Sequence, residues 1–165
     1  MKGKWVLTLV PALIVVVLDQ LTKALVLARM ELHQSISLVD GFFALTYVRN
    51  TGAAFGIFAG HAAAFRIPML LAAAGLALGV LFWFVRTIPA ERSVVIAACG
   101  GVLGGALGNM IDRAAYGEVI DFLDVYAGSW HWPAFNVADA AITVGVIVLC
   151  LDAFRSAPAP ERSII

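Results

Sequence analysis

The chain has 165 residues, 62% of them hydrophobic and only 13% charged, with 11 basic and 11 acidic side chains. Soluble domains carry about a quarter charged residues, so this composition argues against ordinary solubility, and zero net charge gives a nucleic-acid partner no footing. Metal, serine and nucleotide motifs are missing: Cys99 and Cys150 sit in apolar runs as small hydrophobes, and His33, His61 and His131 are isolated.

In chain order, the first predicted span runs from Trp5 to Leu27, about 20 apolar residues being enough to cross a bilayer. Lys2 and Lys4 before an apolar core resemble a secretory leader. The run is long for one, however, and carries Asp19 and Lys23 near its end, so it reads as a retained helix. Those two residues stand four apart in the order that favours a helical ion pair, a role as good as a place in a site.

From 28 to 65 the pattern changes. "SISLVDGFFALTYVRNTGAAFGIF" is rich in β-branched and aromatic residues and punctuated by Asp40-Gly41 and Thr51-Gly52, so strands and turns at the membrane surface are expected. Within it, Gly52 suits a tight turn, and the Asn50 amide suits an extended peptide.

The second span, 67–85, contains no charge. In the third, 93–112, Gly100, Gly104 and Gly108 recur every fourth residue with Gly101 and Gly105 beside them, a pattern for close packing of membrane helices. It ends in "GNMIDR", where Arg113 serves either a substrate backbone or phosphate, or the interface. Asp121 and Asp124 follow, three apart; on a helix they would share a face, and periodicity does not choose between them. The fourth span, 135–154, opens with Asn136, either a helix cap or a side chain orienting a carboxylate, and holds Asp139 one turn in.

Lys2, Lys4, Arg86, Arg92, Arg155 and Arg162 flank one side of this topology and Arg29, Arg49, Arg66 and Arg113 the other. The basic bias predicts both termini in the cytoplasm. At about 1.5 Å per helical residue, Asp19, Lys23, Asn109, Asn136 and Asp139 all fall about 21–29 Å above the inner surface of a layer about 30 Å thick. Antiparallel helices thus bring their polar residues to one level near the outer leaflet. An ionisable group at that depth is costly and marks a candidate site. Two carboxylates held together cannot both ionise easily, so one keeps a proton while the other draws one from water.

Five stretches, "DQLTK", "RNTGAAFG", "GNMIDR", "VIDFLD" and "FNVADAAI", occur in order along the chain. With them the sequence resembles the bacterial lipoprotein signal peptidases, the signal peptidase II family. The resemblance implies a mainly α membrane protein, one integral domain of four transmembrane helices. It adds a small extracytoplasmic β-rich cradle over about 28–65, and a short surface helix and flap over about 114–133. It implies catalysis by Asp121 and Asp139, not Asp124, with Asp19, Lys23, Asn50, Gly52, Asn109, Arg113 and Asn136 binding substrate or supporting the site. It implies no metal or cofactor. The expected partners are diacylglyceryl-modified prolipoproteins and membrane lipids. The expected setting is a monomer in the bacterial inner membrane with its site towards the periplasm. The competing expectation is a small proton-coupled transporter with Asp139 as its proton carrier, which would need that carboxylate reachable from both sides.

Overall fold

The computed structural model describes residues 2–52, 58 and 60–156; Arg162 and 53–56 of the RNTGAAFG stretch lie outside them. In order come α1 (Lys2–Arg29), β1 (Ser35–Val39), β2 (Phe43–Asn50), α2 (Ala63–Thr87), α3 (Ser93–Tyr116), β3 (Val119–Ala127), β4 (Trp130–His131) and α4 (Val137–Ser156). All four helices are long and apolar enough to cross a membrane. Their outer faces suit lipid rather than water: Leu76 is 71% exposed and Phe154 80%, and exposed apolar surface on this scale calls for an apolar partner.

Central to the bundle is α3, between α1 and α4. The glycines explain how. A side chain on Gly104 would meet the Ala12 carbonyl oxygen at 2.5 Å, and one on Gly108 would meet Asp19 Oδ2 at the same distance. One residue on, Gly105 lies against the Ala138 carbonyl of α4. The helix therefore carries two adjacent ridges of small residues, one for each neighbour, and the backbones close to van der Waals contact. At one end of the bundle Val85, Ile88, Val95, Ile96 and Cys99 form an apolar cluster with Trp5, Leu81 and Leu149. There Lys4 Nζ donates to the Arg86 and Ile88 carbonyls, and Arg92 pairs with Asp152 at 3.0 Å.

A four-stranded antiparallel sheet in the order β1-β2-β3-β4 sits at the other end. Gly41, at φ +79°, turns β1 into β2 where the Phe42 N–H meets the Val39 carbonyl. A second apolar cluster, Val26, Tyr47, Ile120 and Phe122, joins the sheet to the end of α1 and, through Val137, to the start of α4.

One expectation is corrected. Over 117–132 the chain forms β3 and β4, not a short surface helix. Val119, Ile120, Phe122, Val125 and Tyr126 are β-branched or aromatic, which suits a pleated, covered surface. β2 supplies the partner edge, with Asn50 opposite Val119, Val48 opposite Asp121 and Ala44 opposite Asp124. Likewise Phe135 precedes α4, because its backbone exchanges hydrogen bonds with Leu123.

Candidate active site

The strand at 119–127 separates the two aspartates that periodicity left tied. Residues three apart on a strand leave it on opposite faces. Asp121 accepts from Asn136 Nδ2 at 2.7 Å and Asn50 Nδ2 at 3.1 Å. Asp124 faces away, to the Thr46 hydroxyl and His131 Nδ1.

Asp139 lies in the first turn of α4, which Asn136 caps. Asn136 Oδ1 accepts the Asp139 N–H at 2.9 Å, and Asp139 Oδ2 accepts the Asn136 N–H at 3.2 Å. This reciprocal pairing satisfies two N–H groups that a helix start leaves open. The cap and the site are therefore one residue: the same Asn136 side chain turns its Nδ2 to Asp121 and to Asn109 Oδ1. Asn109 completes the circle, donating from Nδ2 to Asp139 Oδ1 at 2.8 Å.

Behind these amides lies a buried ionic layer. Lys23 Nζ is 2.8 Å from Asp19 Oδ2, 2.7 Å from Asp112 Oδ2 and 3.2 Å from Asn109 Oδ1. All three charged groups are buried, and desolvation at such sites is offset only when every lone pair and proton is used. Here they are. Asp19 Oδ1 accepts the Ala138 N–H at 2.9 Å, Asp112 Oδ2 accepts the Ile120 N–H, and Gln20 Nε2 reaches Asp19, Asp112 and the Gly108 carbonyl. One layer thus ties together α1, α3, β3 and the positive end of α4.

Gly52 and Arg113 bound the other side. The Gly52 N–H meets Asn50 Oδ1 at 3.0 Å, and its carbonyl accepts Arg113 Nη2 at 3.1 Å. All nine residues singled out from the sequence therefore meet at the sheet end of the bundle. Two further residues, Asp112 and Gln20, join them. Asp112 was visible as the carboxylate of GNMIDR, one helical turn after Asn109. Gln20 had no signal beyond adjacency to Asp19.

Asp121 and Asp139 open onto a cleft of about 1200 Å³, walled by Ala140, Ile142 and Val144 of α4 and by Trp132 and Pro133. Burial pushes the Asp121 carboxyl up to about 7; the charge of Asp139 adds to the rise, and the amides of Asn50 and Asn136 oppose it. A carboxyl that keeps its proton near neutrality, facing a second carboxylate across an apolar-walled cleft, can carry out acid–base hydrolysis without covalent intermediates.

Four membrane-spanning helices with such a pair at one end define a membrane-embedded protein equipped for aspartic hydrolysis. A family model described as "Signal peptidase (SPase) II" matches residues 11–155. The chain is 47% identical to a lipoprotein signal peptidase of Syntrophus aciditrophicus over 92% of its own length and 94% of that protein's. It is 49% identical to one of Geobacter sulfurreducens over 84% of this chain and 86% of the other. Two solved structures titled as bacterial membrane enzymes superpose with TM-scores of 0.84 and 0.79. They share 29% and 30% identity with it, covering 96% and 91% of this chain and 93% and 94% of theirs. The chain belongs to the signal peptidase II family.

Proposed function

We propose that this protein is an aspartic endopeptidase that cuts the signal peptide from prolipoproteins, with Asp121 and Asp139 as its catalytic pair. The observation that carries the reading is that one residue, Asn136, binds both carboxylates at the mouth of one cleft, its side-chain Nδ2 donating to Asp121 and its backbone N–H to Asp139 Oδ2. Asp139 draws a proton from water as that water attacks the scissile carbonyl. Asp121, protonated near neutrality because it is buried beside a second carboxylate, donates to the carbonyl oxygen. As the diol intermediate collapses, Asp139 passes the proton taken from water to the leaving amine and a diol hydroxyl returns its proton to Asp121, which restores the one-proton state of the pair. Arg113 and Asn50, both on the cleft wall, hold the extended substrate backbone.

The apolar α4 wall favours a substrate that stays in the bilayer, a prolipoprotein bearing diacylglycerol on the cysteine after the cleavage site. Basic residues at the Lys4 and Arg92 end favour cytoplasmic termini, which puts the sheet and the cleft on the periplasmic side of the inner membrane, in a monomer. A proton-coupled transporter is not favoured. The polar network lies at one end only, and the Val85–Cys99 apolar cluster fills the other.

The test is cleavage of a diacylglyceryl-modified prolipoprotein by purified protein in detergent with EDTA present. Asp121→Asn and Asp139→Asn should each lower turnover at least about a thousandfold while the protein still inserts and folds. Turnover retained in either variant would remove that residue from the pair.

A further inference from the structure

Asp124 is a buried carboxylate that the hydrolysis does not use. Its Oδ2 accepts the Thr46 hydroxyl at 3.0 Å, and its Oδ1 lies 2.9 Å from His131 Nδ1. Thr46 Oγ1 in turn lies 2.9 Å from Ser35 Oγ. One unbroken polar chain, Ser35–Thr46–Asp124–His131, therefore crosses all four strands from β1 to β4. Tyr126 stacks on the His131 ring, centroids 5.1 Å apart and planes within 13°, and its own hydroxyl accepts the Gly41 N–H.

What this chain holds is the edge of the cleft. β4 is only two residues long, paired through Tyr126 opposite His131 and Ala127 opposite Trp130. So short a strand has little hold of its own. The residues directly after it, Trp132 to Phe135, line the same cleft as Asp121 and Asp139. The Trp132 N–H donates to the Val125 carbonyl at 2.8 Å. Bonds to a charged partner are the stronger kind, and the Asp124–His131 pair is a side-chain tie between β3 and β4 one residue before this segment.

We propose that Asp124 and His131 are positioning residues for signal-peptide cleavage. By clamping β4 to β3 they hold Trp132 against the cleft, and so set how well the substrate is bound rather than how fast it is cut. The consequence for cleavage rests on the function proposed above; the position of Trp132 does not.

His131 is half exposed, so His131→Ala is the variant least liable to misfold. In detergent-purified protein labelled with 5-fluorotryptophan, the Trp132 fluorine signal, assigned with Trp132→Phe, should be single in the parent and broadened or split in His131→Ala. With a diacylglyceryl-prolipoprotein substrate, KM should rise about tenfold, the scale of one hydrogen bond to a charged group, with kcat within about twofold. His131→Asn, whose amide nitrogen can take the place of Nδ1, should restore both readings. Asp124→Ala combined with His131→Ala should be no worse than Asp124→Ala alone. An unchanged Trp132 signal in His131→Ala would overturn the proposal, as would a loss of kcat with KM unchanged. If the parent protein fails to cleave, the peptidase reading falls, while the fluorine spectrum still decides whether the clamp exists.

Discussion

At Asn136 a helix cap and a contact to Asp121, the proposed acid, share one amide, and the two can be separated by substitution. Its oxygen serves the Asp139 N–H, and its nitrogen serves Asp121 and Asn109. Asn136→Ala removes both, and the cap alone is worth about 1 kcal/mol. Asn136→Ser keeps a capping oxygen but loses the amide nitrogen that reaches Asp121. The serine variant is therefore expected to melt above Asn136→Ala, because it keeps the cap, yet lose about a hundredfold in kcat relative to the parent, measured by thermal unfolding and cleavage side by side. An equally active serine variant would confine Asn136 to its cap. A second expectation concerns pH. The Asp121 carboxyl stands at about 7 against 3.8 for a free side chain. As pH rises past 7 the proton donor disappears, so kcat/KM should fall about tenfold per unit on that limb. The same shift acts on stability with a definite sign. The folded state holds the proton more tightly than the unfolded one, so stability is full below about pH 4 and declines as pH climbs towards 7. Asp121→Asn should remove that decline in melting temperature.

At the scale of elements, the α3 glycines make a sharp contrast available within four residues. A methyl group on Gly104 would stand 2.5 Å from the Ala12 carbonyl oxygen and 2.9 Å from Ala12 Cα, atoms of a backbone that cannot yield. One on Gly101 would meet only the Ala141 carbonyl oxygen, at 3.8 Å. Gly104→Ala should destabilise by about 1–3 kcal/mol and reduce cleavage, because parting α1 from α3 separates Lys23 from Asn109. Gly101→Ala should be near neutral in both assays. These ridges were legible in the sequence, since a four-residue repeat of small residues has one strong physical reading. So was the level at which Asp19, Asn109 and Asp139 meet, because helical rise converts sequence position to depth. What resisted reading was the segment after Tyr116. "VIDFLDVYA" can be strand or helix until β2 supplies an edge, and the partner residues lie about seventy positions upstream. The resemblance, not the periodicity, prefers Asp121 over Asp124; the strand puts the two on opposite faces. Gln20 escaped for a similar cause, since its two distant partners, Gly108 and Asp112, are about ninety residues away.

Over the whole molecule, the two ends of the bundle are chemically unlike, and that polarity predicts how it sits in the membrane. The sheet end carries the buried ionic layer and the cleft. The far end is apolar inside, with Lys4 on the Arg86 and Ile88 carbonyls and Arg92 on Asp152 at its rim. Basic side chains close to short connections are retained on the cytoplasmic side, and the tight turn between α2 and α3 lies between Arg86 and Arg92. A cysteine placed at Pro89 in that turn should therefore react with a membrane-impermeant maleimide only after cells are permeabilised. One placed at Leu32, exposed between α1 and β1, should react in cells whose inner membrane is intact. Cys150→Ala removes the exposed native thiol, and Cys99 is buried in the apolar cluster, so the background is low. The reverse labelling pattern would put the cleft in the cytoplasm. The substrate would then have to be cut before its mature part crosses the membrane, and a bilayer-retained lipidated substrate would no longer follow from where the carboxylates lie.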